Sequence, residues 1–231
     1  MSTKAIILAA GTGSRLYPLT KEMPKGLLDI EGVRPIVRQV DMLIEHGIDN
    51  ILVAVGHQKE KIKEVLGSRV RFREFPDFDT KNNLHTLLSI RDELTTDSII
   101  LYADLIFEDE VLKRTLGGKG DICLTIDTSE LRPGSPQVKM ENGVITKIDK
   151  NNATCNFLGI TKLSSAGAQK LVSEMELLRD HQPNAYYSDA IDSLIQKGIR
   201  VTPIDIAGAK WIEIDTLEDI EIAKHIILNI G

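Results

Sequence analysis

Residues 5–25 read Ala5-Ile6-Ile7-Leu8-Ala9-Ala10-Gly11-Thr12-Gly13-Ser14-Arg15-Leu16-Tyr17-Pro18-Leu19-Thr20-Lys21-Glu22-Met23-Pro24-Lys25. The apolar run up to Ala10 reads as a buried strand, and it stops at four small residues, Gly11-Thr12-Gly13-Ser14. Small residues let a backbone come close to a ligand, so that its N–H groups point at phosphate oxygens. Arg15 follows at once and Lys25 comes behind Pro24, two cations that would neutralise a polyphosphate from two sides. Leu8, Ala9, Ala10, Gly11, Thr12, Gly13, Ser14, Arg15 and Lys25 are therefore the candidate nucleotide-contacting residues, Arg15 and Lys25 with catalytic roles. Neither common phosphate loop fits. A Walker A loop requires Gly-Lys-Ser/Thr after four spacer residues, and the dinucleotide fingerprint requires a third glycine or alanine where Leu16 stands.

Outward from this stretch, strands and helices alternate. Strand patterns over 5–8, 50–55, 70–75 and 98–102 are separated by helical patterns over 35–46, 58–66 and 82–94. The order βαβαβαβ predicts a parallel sheet with right-handed crossovers, in which ligands bind beyond the carboxyl ends of the strands. Gly11 and Asp104 both fall at such ends. The second half is more mixed, with strands over 121–127, 137–140, 144–148, 156–163 and 201–206 and an extended piece over 211–215. A hairpin turns at Glu141-Asn142-Gly143. Ser164 caps a helix running to about 179, a second helix covers 188–196, and Thr216 caps the last.

The 231 residues are 42% hydrophobic and carry a formal net charge of −6. That length supports one large core, and no Pro/Gly/Ser-rich linker divides it. The acidic balance argues against a nucleic-acid groove, and no apolar run approaches the roughly 20 residues that cross a bilayer. The first residues lack the long apolar region of a signal peptide. Cys123 and Cys155, the only cysteines, have no zinc-motif spacing and read as buried thiols. A single-domain cytoplasmic protein is expected, without nucleic-acid or membrane partners. A homodimer is open on base rates alone.

Two aspartates emerge from apolar strands: Asp104 after Ile99-Ile100-Leu101-Tyr102-Ala103, and Asp215 after Trp211-Ile212-Glu213-Ile214. Alternation along the second strand puts Glu213 on the same side as Asp215. Mg²⁺ takes oxygen ligands, typically one or two carboxylates plus substrate phosphates, although each aspartate alone also reads as a turn or helix-preceding residue. The stretch 6–28 as a whole resembles the signature of the nucleotidyltransferase family, enzymes that activate sugar-1-phosphates and related phosphates with a nucleoside triphosphate. The resemblance implies a three-layer Rossmann-like α/β fold with a mostly parallel, mixed central sheet. It implies Mg²⁺ as cofactor, with Asp104 and Asp215 as ligands and Glu213 as a further candidate. An acceptor phosphate or phosphonate oxygen would attack the α-phosphorus, with Lys25 at the α-phosphate and Arg15 at the departing pyrophosphate. The nucleophile is already anionic, so catalysis is positioning and charge stabilisation. No convincing His/Ser/Cys triad is present, and His46, His57, His181 and His225 lie on predicted helices or turns.

Sugar-activating members usually carry a Gly-Thr-Ala or Gly-Thr-Gly-Gly element before the third major helix. Here the chain reads Phe78-Asp79-Thr80-Lys81-Asn82-Asn83-Leu84-His85-Thr86-Leu87-Leu88-Ser89. That pattern, the closing Trp-Ile-Glu-Ile-Asp-Thr-Leu-Glu-Asp and the compact length are similar to small cytidylyltransferases acting on phosphocholine and 2-aminoethylphosphonate. The similarity implies CTP as donor, with Asn82, Asn83 and Ser89 near base or ribose, while Asn82 also reads as a helix cap. It divides the chain into a nucleotide-binding half over about 1–116 and an acceptor-binding half over about 117–231. For a small phosphorylated or phosphonylated alcohol or amine, Tyr186, Tyr187 and Trp211 are the candidate walls and Asp189 or Asp192 the counter-charge. An aromatic content of 4% favours a primary amine or small polar phosphate over a quaternary ammonium, which wants an aromatic cage. The loop 132–136 reads as a cover or as a plain turn. The alternative is a sugar-1-phosphate or polyol-phosphate nucleotidyltransferase using UTP, dTTP, GTP or CTP. Intact Arg15, Lys25, Asp104 and Asp215 disfavour an inactive nucleotide sensor, and Leu16 disfavours a dinucleotide oxidoreductase.

Overall fold

A computed structural model describes residues 3–132, 136–148 and 153–230, the side chains of 229 and 230 excepted. Its first half alternates as expected: β1 (Lys4–Ala9), α1 (Pro35–Glu45), β2 (Ile51–Val55), α2 (Lys59–Leu66), β3 (Arg71–Glu74), α3 (Asn83–Ser89) and β4 (Ser98–Tyr102). There follow β5 (Leu105–Phe107), α4 (Asp109–Gly117), β6 (Ile122–Asp127), β7 (Gln137–Glu141), β8 (Val144–Ile148) and β9 (Cys155–Leu163). The chain closes with α5 (Ser165–His181), α6 (Tyr187–Gln196), β10 (Thr202–Asp205), β11 (Trp211–Glu213) and α7 (Leu217–Ile230).

The main sheet runs β10-β6-β9-β4-β1-β2-β3, with the β7–β8 hairpin attached to β9. β4, β1, β2 and β3 are parallel, as is the β10–β6 pair. β9 lies antiparallel to both β4 and β6 and splices the two parallel sets into one mixed sheet. Both faces are covered, which is why the central strands are apolar at nearly every position. Along β1, Ile6 and Leu8 face α3, α5 and α6, while Ala5 and Ile7 face α1, α2 and α4. The sheet is thus the middle of three layers.

Two expectations are corrected. The helix expected over 82–94 ends at Ser89. Ile90 leaves helical geometry at φ −120° to bury its side chain, and a 3₁₀ turn at Arg91–Glu93 follows. The chain after Asp104 is also not a simple turn into α4. Leu105-Ile106-Phe107 form β5, which pairs antiparallel with β11. This two-stranded ribbon buries Ile106, Ile212 and Ile214 against Leu16 and α7 residues Ala223, Ile226 and Ile227. Ser164 caps α5 as expected, its hydroxyl accepting from Gly167 N–H at 3.0 Å.

Candidate active site

In the register of β1 with β4, Leu8 stands opposite Tyr102, and Ala103 N–H donates to Leu8 carbonyl at 3.1 Å. The loop after β1 and Asp104 therefore leave the sheet side by side. The loop is braced from within. Thr20 hydroxyl donates to Gly13 carbonyl at 2.7 Å, His57 N–H donates to Ala10 carbonyl at 3.0 Å, and His57 Nε2 lies 2.9 Å from Thr20 carbonyl. Two 3₁₀ turns, Ser14–Leu16 and Lys25–Leu27, then aim Arg15 and Lys25 at the same carboxylate.

That carboxylate is Asp215. Its Oδ1 accepts from Lys25 Nζ at 2.6 Å and lies 2.7 Å from Arg15 Nη2. Lys25 also pairs with Asp104, so its ammonium bridges residues contributed by two distant strand ends. The β5–β11 ribbon creates this proximity, because Leu105 pairs with Glu213 and Ile214 N–H donates to Asp104 carbonyl at 3.0 Å. One ligand oxygen each from Asp104, Glu213 and Asp215 lie within 4.8 Å of one another. Burial works against the charge on Lys25, but Asp104 and Asp215 outweigh it and hold its pKa above the ordinary lysine value. Burial, then the neighbouring Asp104 and Asp215, push the Glu213 carboxyl well above the usual range.

Asp104 Oδ1 and Glu213 Oε2 are buried without a hydrogen-bond partner. Such orphaned oxygens are costly, and beside a third carboxylate they form the hard donor set that Mg²⁺ takes up. The residues present fit the ion.

These groups floor a cleft of about 1030 Å³. Leu8, Ala9, Ala10, Gly11, Thr12, Gly13, Ser14, Arg15 and Lys25 all line it, as do Asn82, Asn83, Asp104, Tyr186, Asp189, Glu213 and Asp215. Four expected residues, Ser89, Tyr187, Asp192 and Trp211, do not. Ser89 lies exposed at the far end of α3 and donates to Thr86 carbonyl at 2.7 Å; Thr86, one turn nearer the cleft, lines it instead. Tyr187 is 0% exposed, its hydroxyl 3.2 Å from Thr161 Oγ1. Trp211 is 1% exposed and donates its indole N–H to Asp127 at 2.8 Å, with the Arg132 guanidinium 5.2 Å from the ring centroid. Both aromatics are core, not walls. Asp192 is likewise occupied, accepting from Ile148 N–H at 2.7 Å, and residues 133–135 of the 132–136 loop lie outside the described residues.

Sequence reasoning overlooked Thr86, Tyr102, Gln137 and Ser188, all of which line the cleft. Tyr102 had a signal, standing at the carboxyl end of a strand just before Asp104. Tyr187 had one too, since its spacing with Ala190, Ile191 and Leu194 marks the apolar face of α6.

What converges at the mouth of the loop is charge of both signs around open space, the equipment of enzymes that move nucleotide phosphates. The chain belongs to the nucleotidyl transferase family, whose model matches residues 4–119. It is 28% identical over 249 residues to the CTP:phosphoglutamine cytidylyltransferase of Campylobacter jejuni, covering 94% of this chain and 98% of that one. It is 26% identical over 240 residues to a bifunctional IPC transferase and DIPP synthase of Aquifex aeolicus, covering 99% of this chain but 53% of that one. Among solved structures, the CTP:phosphocholine cytidylyltransferase of Streptococcus pneumoniae superposes with a TM-score of 0.84 over 98% of this chain and all of that one. Its sequence identity is 24%, so the likeness is one of fold.

Proposed function

We propose that this nucleotidyltransferase is a Mg²⁺-dependent cytidylyltransferase that moves CMP from CTP to a small phosphorylated or phosphonylated alcohol or amine. The observation that carries the reading is the Lys25 bridge between Asp104 and Asp215 beneath a loop open to phosphates. The Campylobacter relative, named for CTP and a phosphorylated small molecule, supports the choice of nucleotide and acceptor class.

The loop from Ala10 to Ser14 cradles the triphosphate with its backbone N–H groups. Asp104, Asp215 and Glu213 would hold the ion, which when bound supplies charge neutralisation at the phosphates. Lys25 orients the α-phosphate and the acceptor oxygen, and Arg15, with a side chain 63% exposed, reaches the β- and γ-phosphates. An acceptor oxygen forms the new bond to the α-phosphorus, and the α–β anhydride bond breaks to release pyrophosphate. The attacking oxygen is already ionised, so no base is required. Asn82 and Thr86 lie towards the base and ribose, and Tyr186 and Asp189 line the acceptor end. A cytoplasmic setting supplies the triphosphate and suits the two free, buried thiols. Among the described residues no helix is long and apolar enough to cross a membrane.

Pyrophosphate release tests this with Mg²⁺, the common nucleoside triphosphates, and an acceptor panel. The panel is phosphocholine, phosphoethanolamine, 2-aminoethylphosphonate, phosphoglutamine, polyol phosphates and sugar-1-phosphates. Turnover confined to CTP and a non-sugar acceptor is expected. Turnover with UTP, dTTP or GTP and a sugar-1-phosphate overturns the reading. Asp104→Ala should abolish release while leaving the fold intact, and unchanged turnover would sink the metal assignment.

A further inference from the structure

Asn83 sits in the cleft wall, yet its amide is committed to protein on both sides. Nδ2 donates to Tyr102 hydroxyl at 3.2 Å, and Oδ1 accepts from Tyr187 N–H at 2.9 Å. The two partners belong to β4 and α6, both of which contribute residues to the cleft lining. Tyr102 is itself a fixed point. Its ring packs edge-on against Tyr187 at 5.9 Å between centroids, and it lies over Gly159, whose φ is +74°. A Cβ on Gly159 would come within 2.3 Å of that ring. Two neighbours extend the link: Asn82 Nδ2 donates to Asn184 carbonyl at 2.5 Å, and His85 Nε2 lies 3.0 Å from Pro183 carbonyl. The segment leading into α6 therefore hangs from the first turn of α3.

We propose that Asn83 is a positioning residue rather than a base reader, fixing the start of α6, and with it Tyr186, Ser188 and Asp189, against the nucleotide wall. The inference rests on the cytidylyltransferase reading for the identity of the two walls. Tyr187 is the first residue of α6, so its N–H has no partner within the helix. Asn83 supplies one. The same side chain is anchored on Tyr102 of β4, and with the Asn82 and His85 contacts it holds the start of α6 to α3 and β4.

Hydrogen exchange of individual amides tests this in the free protein, with Asn83→Ala and Asn83→Asp. In Asn83→Ala the Tyr187 amide should exchange about tenfold faster while the β1 and β4 amides keep their rates. Asn83→Asp should restore protection, one carboxylate oxygen accepting from Tyr187 N–H and the other from Tyr102 O–H. With Mg²⁺ and CTP as probe, Asn83→Ala should keep the CTP dissociation constant within about twofold. It should raise about tenfold the KM of whichever panel acceptor the wild type turns over. An unchanged Tyr187 amide, or a loss of CTP affinity as large as the rise in acceptor KM, overturns the proposal. Failure of the wild type to bind CTP overturns the cytidylyltransferase reading instead, and the exchange result in the free protein still decides the role of Asn83.

Discussion

A side chain added at Gly11 would point into open cleft, since a Cβ there meets no atom within 4 Å. The position thus separates folding from binding. Gly11→Val should leave the thermal midpoint within about 2 °C of wild type, as surface changes of about 0.5 kcal/mol do. It should nevertheless weaken triphosphate binding at least tenfold, which calorimetric titration with Mg–CTP would measure. Lys25 is the opposite case. Lys25→Met leaves Asp104 without its cation and Asp215 with Arg15 alone, and breaking such a buried set costs about 3 kcal/mol. We expect no turnover and a lowered midpoint in chelator that rises more on adding Mg²⁺ than the wild type's does. An equal Mg²⁺ response in both proteins would count against the carboxylates as an ion site. Asp104 and Asp215 were legible in the sequence because each stands where an apolar strand breaks into a charge, and Arg15 and Lys25 because they follow the small-residue loop and Pro24. The depths of Ser89 and Trp211 were not, because being near the right motif says nothing of burial, and that of Tyr187 shows only in its helical spacing with Ala190, Ile191 and Leu194. One turn of helix separates Thr86 in the cleft from Ser89 in solvent, and one residue separates exposed Tyr186 from buried Tyr187.

The element that assembles the carboxylates is the one the sequence hid. β5 has three residues, too few for any period to register, and only its pairing with β11 brings Asp104 beside Asp215. The longer strands were readable because burial on both faces leaves them continuously apolar, whereas the antiparallel placement of β9 is set by tertiary pairing and leaves no local mark. The turn carrying Lys25 is equally a product of packing. A Cβ on Gly26 would lie 2.8 Å from Ala103 carbonyl and 3.3 Å from the Ile36 Cβ, so the turn rests directly on the residue preceding Asp104. Gly26→Ala must push the Lys25–Leu27 turn off β4, an overpacking cost of about 1–3 kcal/mol. Because catalysis here is positioning, kcat should fall by more than tenfold, while Mg²⁺ and nucleotide still raise the midpoint. Steady-state kinetics beside a thermal melt would check this. Full activity would mean that the turn tolerates displacement and that Lys25 reaches its partners by side-chain flexibility alone.

Across the whole molecule, the two edges of the sheet are given to different tasks. The carboxyl ends of the strands carry the cleft, and the amino ends are stapled by charge. Glu93, in the 3₁₀ turn before β4, accepts from Lys4 Nζ at 2.6 Å and from both terminal nitrogens of Arg71 at 2.8 and 3.0 Å. It thereby ties the starts of β1 and β3 to the approach to β4, and Lys4 and Glu93 are both buried. The Arg71 guanidinium first, and Lys4 with it, outweigh the cost of burial and hold the Glu93 pKa at about 2. An unfolded glutamate titrates near about 4.3. A carboxyl with a depressed folded pKa contributes its stability above the unfolded value and loses it as the pH falls towards the folded one. Glu93→Gln should therefore cost about 2 kcal/mol at pH 7, since Lys4 is buried but Arg71 is half exposed. The gap to wild type should narrow below about pH 4.3 and close near pH 2. Urea unfolding from pH 7 down to pH 3 would follow it. A gap constant with pH would assign the cost to packing instead of charge. Turnover at pH 7 should be unchanged under conditions where the variant remains folded, because the staple and the cleft lie at opposite ends of the same strands. Loss of turnover at pH 7 in a variant that is still folded would overturn that separation.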